Sequence, residues 1–272
     1  MISGRVNADP INEASGLAVS RKHDKVLWTH NDSGDDALFY AIHENGRLLG
    51  TFTLKDAIAF DYEGMSLGPG PEAGLDYLYI GDIGNNDAHR GKPRIHITLY
   101  RLPEPRVDAR ALGPVRGQLE SDALVMRYPD GAHDAEVLMV DPRNGDIYIL
   151  TKRDPKSRIY RAPKPAAGDQ EIMLEYLGEM AMTQTTGGDI APDGSAVLVK
   201  GYGKVWYFPR SAGASIGDAL RNPKPVVVET YKVEPQGEAI AFAADGRGFF
   251  TLSEARKAES VPLYFYPLAP DK

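Results

Sequence analysis

Three observations in the sequence predict an all-β fold, a five-bladed propeller of four-stranded blades closed by the N-terminal strand. First, an acidic residue followed by small residues and an apolar run occurs five times. The copies are Glu13-Ala14-Ser15-Gly16-Leu17, Glu63-Gly64-Met65-Ser66-Leu67, Glu136-Val137-Leu138-Met139-Val140, Gly188-Asp189-Ile190-Ala191 and Gly237-Glu238-Ala239-Ile240. Second, the steps between the acidic residues are 50, 73, 53 and 49 residues, and a strand-rich repeat of that length marks a propeller or a similar array. Third, each copy is followed by further strand-like runs separated by turn-forming clusters.

The five copies read as innermost strands. In the first blade Lys25–His30, Ala37–Ile42 and Leu48–Leu54 complete the set, with turns at Asn31–Asp36 and Glu44-Asn45-Gly46-Arg47. The second blade adds Asp76–Ile80, Arg94–Tyr100 and Asp122–Tyr128; its extra length falls in Gly81–Arg90 and in a Pro-rich connector, Pro103–Gly117, too poor in strand formers for a sixth blade. The third has Asp146–Leu150, Arg158–Tyr160 and Met173–Leu177, and the fourth Ala196–Val199, Val205–Phe208 and Pro225–Thr230. The fifth has Gly248–Leu252 and Pro262–Tyr266 but lacks an outer strand, which Ile2–Val6 is expected to supply. That closure leaves no open blade at the seam. The whole chain, 1–272, reads as one domain.

Composition narrows the function. A net charge of −7 argues against general attraction to nucleic acid. No run reaches the roughly 20 apolar residues of a membrane helix, and no N-terminal segment has a signal-peptide pattern. The absence of Cys excludes disulfides and thiolate metal sites. A monomer is expected.

If the acidic heads Glu13, Glu63, Glu136, Asp189 and Glu238 gather around one channel, they repel one another and resist ionisation on burial. A bound cation relieves this, and an all-oxygen set without Cys or grouped His suits a hard ion, Ca²⁺ first. The bland alternative is that the heads lie further apart and accept backbone N–H groups. Loops between second and third strands open at the same mouth. They offer Asn31, Asn85, Asn86, Arg90, Lys152 and Lys200 as contacts for a small anionic ligand. Asp32, Asp82 and His30 are the candidate groups for proton transfer there. Polar loops are also what any protein surface has.

The motifs Glu13-Ala14-Ser15-Gly16-Leu17-Ala18, Asn31-Asp32-Ser33-Gly34 and Gly81-Asp82-Ile83-Gly84-Asn85-Asn86 resemble a group of bacterial secreted-type propeller proteins, over nearly the whole chain. That resemblance implies a secreted or periplasmic location. More distantly the chain is similar to calcium-dependent hydrolase propellers: the calcium-activated nucleotidases (apyrases), and the phosphotriesterase, lactonase and esterase-like phytase propellers. In the nucleotidases a channel Ca²⁺ is held by acidic residues at strand starts, a pattern that Glu13, Glu63, Glu136 and Glu238 match and Asp189 approximates. The phosphotriesterase type mixes Asn with its acids on six blades, and this sequence departs from it there. The expectation is a Ca²⁺-dependent hydrolase of a phosphate ester or phosphoanhydride. The competing expectation is a noncatalytic ligand- or protein-binding propeller with a structural Ca²⁺.

Overall fold

The computed structural model describes residues 1–32, 35–86, 93–111, 113–165 and 171–268. The chain starts with β1 (Ile2–Asn7), then forms β2 (Ala14–Val19), β3 (Val26–Asn31), β4 (Leu38–His43) and β5 (Leu48–Leu54) as the first blade. The second blade takes β6 (Tyr62–Pro69), β7 (Asp76–Asp82) and β8 (Ile97–Pro103), skips β9 (Val115–Leu119), and ends with β10 (Asp122–Arg127). The third comprises β11 (Ala135–Val140), β12 (Ile147–Thr151), β13 (Arg158–Ala162) and, past β14 (Ile172–Met173), β15 (Glu175–Glu179). The fourth is β16 (Thr185–Ile190), β17 (Ala196–Gly201), β18 (Val205–Pro209) and, after helix α1 (Ile216–Leu220), β19 (Val226–Val227). The last is β20 (Gly237–Phe242), β21 (Gly248–Ser253) and β22 (Ser260–Pro267), to which β1 adds as the outer strand. The five sheets form the predicted five-bladed propeller. Ile2 lies opposite Tyr264 and Asn7 opposite Ser260 in the antiparallel closure.

Two details differ from the sequence reading. The Pro-rich connector adds no sixth sheet among the described residues, as expected, but its end runs into β9, a strand the sequence reading lacks, which lies parallel to β5 and covers the first blade's outer edge. The segment expected as one outer strand of the third blade is split. Ile172 and Met173 pair with β10 of the second blade, and only from Glu175 does the chain join β13. Both excursions cap edges that would otherwise present unpaired backbone groups.

Apolar side chains on both faces of the strands fill the spaces between successive blades. Trp28, Phe39 and Phe52 of the first blade meet Met65, Leu78 and Ile80 of the second, and comparable clusters fill the other four seams. The innermost strands are almost wholly buried. Small residues let them approach closely: a Cβ on Gly187 would lie 2.1 Å from the Glu238 carbonyl oxygen of the next blade. Side chains staple neighbouring blades as well. The Val140 amide donates to Ser66 Oγ at 3.1 Å, and the Phe242 amide donates to Asp189 Oδ2 at 2.8 Å.

Near its N-terminal end, every innermost strand shifts register against its second strand. The breaks fall between Ala14 and Gly16, Tyr62 and Met65, Ala135 and Val137, Thr185 and Gly187, and Gly237 and Ala239. A bulge of this kind re-aims a side chain without ending the strand. This repeated irregularity positions the site.

Candidate cation site at the channel mouth

The bulges place Ser15, Glu63, Glu136, Thr186 and Glu238 at equivalent positions in the five blades. Glu63, Glu136 and Glu238 come together, with carboxylate oxygens all within 4.8 Å of one another, and a second group of the same compactness joins Glu63 to Asp32 and Asp61. The three glutamates are buried. Ser15 Oγ donates to Glu63, Thr186 Oγ1 donates to the Gly237 carbonyl at 3.4 Å, and the Tyr202 hydroxyl donates to Glu238 Oε1 at 2.9 Å. A second tier lies one residue past the second strand: Asp32, Lys152, Tyr202 and Glu254 in blades one, three, four and five. The ladder continues there through Asp32 N donating to Glu13 O at 2.8 Å, Lys152 N to Asp134 O at 2.8 Å and Glu254 N to Gln236 O at 3.0 Å.

Burial pushes the Glu63 and Glu136 carboxyls well above the usual carboxylate range. For Glu63, the charges of Glu136, Asp32 and Glu238 add to that push; for Glu136, Lys152 opposes it. Burial also raises Glu254, which with the charge of Glu238 beside it reaches about 8. Lys152 Nζ donates to Glu136 and lies 3.5 Å from Glu238 Oε1. Burial works against its charge, but Glu136, Glu238 and Glu63 together outweigh burial and hold the ammonium above the ordinary lysine range. Glu136 Oε2 is one of several buried side-chain atoms with no hydrogen-bond partner among the described residues. A buried carboxylate oxygen left this way calls for a missing partner. The donors are all oxygens, several of them carboxylate, so the set fits a hard divalent cation.

Two of the five residues expected in the ring lie outside it. Glu13 is exposed, two residues before the bulge residue Ser15, in the place Asp61 and Asp134 occupy in their blades. Asp189 sits three residues beyond Thr186, where its carboxylate accepts the Phe242 amide and, at 2.9 Å, the Ile190 amide. Burial pushes it up to about 6 against those two hydrogen bonds. Asp189 is thus an interblade staple, as the bland alternative had it.

Most of the residues expected to meet substrate are held within the fold. His30 is buried, with Nδ1 2.9 Å from the Asn31 carbonyl and Nε2 3.2 Å from that of Gly64; burial lowers its pKa. Its ring takes the room left by Gly16, where a Cβ would lie 2.2 Å from Nε2, so it is shut off from the mouth. Asp82 accepts both Arg94 Nη atoms, at 2.8 and 2.9 Å, and the Asp61 amide at 2.8 Å. Asn31 accepts the Glu13 amide and donates to Pro10 O and Asp35. Asn85 joins the Asp134 carboxylate to the Arg94 backbone. Asn86 presents its amide and Nδ2 to Asp61, at 3.0 and 3.1 Å, and so aims that carboxylate into the cluster. Lys200 is sealed against Glu234 at 2.9 Å. Arg90 lies outside the described residues.

Asp61, Glu254, Tyr202 and the hydroxyls Ser15 and Thr186 escaped the sequence reading. Asp61 carried a signal, because it precedes Glu63 by two residues as Asp134 precedes Glu136. Glu254 stands at the start of a loop already expected at the mouth.

No protein-family model matches the chain, and no curated protein matches it. Among solved structures, a crystal structure of a nidogen/laminin complex is similar over 90% of this chain and 73% of the matched chain, at 13% identity and a TM-score of 0.49. The structure of U3-55K is similar over 93% of this chain and 80% of the other, at 12% identity and a TM-score of 0.40. Nothing in these comparisons points to the hydrolase groups that the sequence motifs resemble. Among the described residues, no helix is long and apolar enough to cross a membrane.

Proposed function

We propose that the channel mouth binds a divalent cation, Ca²⁺ first, through Glu63, Glu136 and Glu238 with Asp32 and Asp61 beside them, and that a phosphate ester or phosphoanhydride is hydrolysed there. One observation carries the ion: Glu136 Oε2 is buried without a hydrogen-bond partner among the described residues, in a cluster of convergent carboxylates. When bound, Ca²⁺ would supply the polarisation of a phosphoryl oxygen. The chain's own residues do the rest. Asp32, less buried than the ring glutamates, holds and deprotonates the attacking water. Arg153, half-exposed beside Asp134 and Asn86, carries the anion-binding role expected of the basic rim residues Arg90, Lys152 and Lys200.

A noncatalytic binding propeller is the second reading. It is favoured by the hydrogen bonds that keep His30, Asn31, Asp82, Asn85 and Lys200 within the fold. Screening phosphomonoesters, phosphodiesters and nucleotides with Ca²⁺ and with chelator separates the two. The hydrolase reading expects Ca²⁺-dependent turnover that Asp32→Asn or Arg153→Ala slows by roughly 10² to 10³. Ca²⁺ binding without any Ca²⁺-dependent turnover leaves the second reading standing.

A further inference from the structure

Lys152 lies inside the carboxylate cluster, not on the rim where its loop position suggests. Its side chain is 6% exposed, its Nζ contacts Glu136 and Glu238, and it stands 5.2 Å from the centre of the Tyr202 ring. The main chain beneath it is pinned: its amide donates to Asp134 O at 2.8 Å, and its carbonyl accepts the Gln184 amide at 3.1 Å and a hydroxyl hydrogen bond from Thr183. Any adjustment of the charge therefore falls to the flexible four-carbon stem.

An ammonium here does, with one charge, what a divalent cation would do with two. Both neutralise the same oxygens, and at such short range they repel each other. A second buried lysine, Lys200, is an internal contrast. Its partner Glu234 accepts Thr251 Oγ1 at 2.8 Å on one oxygen, and Lys200 and Tyr231 on the other, so both its oxygens already have partners. Around Lys152 the carboxylates are in surplus.

We propose that Lys152 is a resident counter-ion, displaced from Glu136 and Glu238 when a divalent cation enters, and that it sets the affinity of the site. This rests on the cation-binding reading above. It makes the site a weak one by design of charge: the ion must first evict an ammonium that two carboxylates hold. Such competition places binding toward the weak end of the range that oxygen-ligand Ca²⁺ sites span.

Calorimetric titration of Ca²⁺ into the wild-type chain and into Lys152→Met tests this, with circular dichroism to check folding. The expected result is measurable binding by both proteins, at least tenfold tighter by Lys152→Met. Equal or weaker binding by the variant overturns the Lys152 assignment and leaves the cation site standing. Silence from both folded proteins overturns the cation reading itself. If the variant does not fold, amine acetylation of the wild-type chain, read lysine by lysine by mass spectrometry, gives the answer. Added Ca²⁺ should raise labelling of Lys152 severalfold while Lys200 stays protected. Unchanged or reduced labelling of Lys152 on adding Ca²⁺ overturns the proposal.

Discussion

Two buried lysines, Lys152 and Lys200, come from the second-strand regions of neighbouring blades, yet they sit in opposite electrostatic situations. Lys200 meets one carboxylate, Glu234, whose oxygens are fully engaged by Lys200, Tyr231 and Thr251. Burial dominates there and lowers the lysine's pKa even beside its partner. Lys152 meets Glu136 and Glu238 with Glu63 nearby, and the carboxylates outweigh burial. A one-to-one pair closes on itself and braces the fourth blade against the fifth. A surplus of buried carboxylates stays unfinished, as Glu136 Oε2 shows. Charge balance, more than burial, separates a strut from a candidate binding site.

The comparison breaks most sharply at the strut. Lys200→Met leaves Glu234 buried and unpaired, and should cost about 3–5 kcal/mol in denaturant unfolding. The Ca²⁺ response of the surviving folded protein should change little, since Lys200 pairs directly with Glu234 and Tyr231 and feels the ring only through the charge of Glu238. A loss of that response would merge the two sites and undo the distinction.

At the mouth the effect depends on the ion. Ca²⁺ at a hundredfold excess over its dissociation constant should stabilise the chain by about 2.7 kcal/mol, read as a rise in melting temperature that chelator reverses. Glu136→Gln removes the charge of the ring carboxylate whose Oε2 has no hydrogen-bond partner among the described residues, with little change of shape, and should abolish most of that rise.

The smallest effect is on pH. Burial first, and Glu238 second, push Glu254 up to about 8; burial pushes Asp189 up to about 6. Between the ordinary carboxylate range near 4 and these values, the folded chain keeps protons that the unfolded chain has released. In ion-free buffer these carboxyls, with Glu63 and Glu136 raised in the same sense, should make stability fall as pH rises from about 4 to about 8, while His30, whose pKa burial lowers, opposes the fall below about 6.5. Glu254→Gln should flatten the upper part of that fall, and Asp189→Asn only the part below about pH 6. A melting temperature that climbs with pH over this range would contradict the assignment.

The blade count, the closure by Ile2–Val6 and most strands were legible because apolar alternation and turn clusters repeat faithfully. The ring was only half legible. A bulge absorbs a residue silently, so an acidic residue two positions upstream, such as Glu13, looks in sequence like the bulge residue itself. In blades one and four the true positions carry Ser15 and Thr186, which have no acidic signature to align. Asp189 drew attention in place of Thr186 because it is the acidic residue in the fourth repeat's apolar run. In sequence His30 and Asp82 look like proton-transfer groups and Asn85 like a ligand contact, because polar residues at strand ends and in loops look alike whatever holds them. Only the fold reveals that Gly64, Arg94 and Asp134 already hold them. Strands β9 and β14 were missed because their pairing is to the edges of other blades, which local pattern does not encode.

The most direct test of the central claim is a crystal structure determined in millimolar Ca²⁺. The account predicts an ion coordinated by Glu63, Glu136 and Glu238, with Lys152 Nζ withdrawn from Glu136. Glutamates still bridged by Lys152, with no ion among them at that concentration, would contradict it.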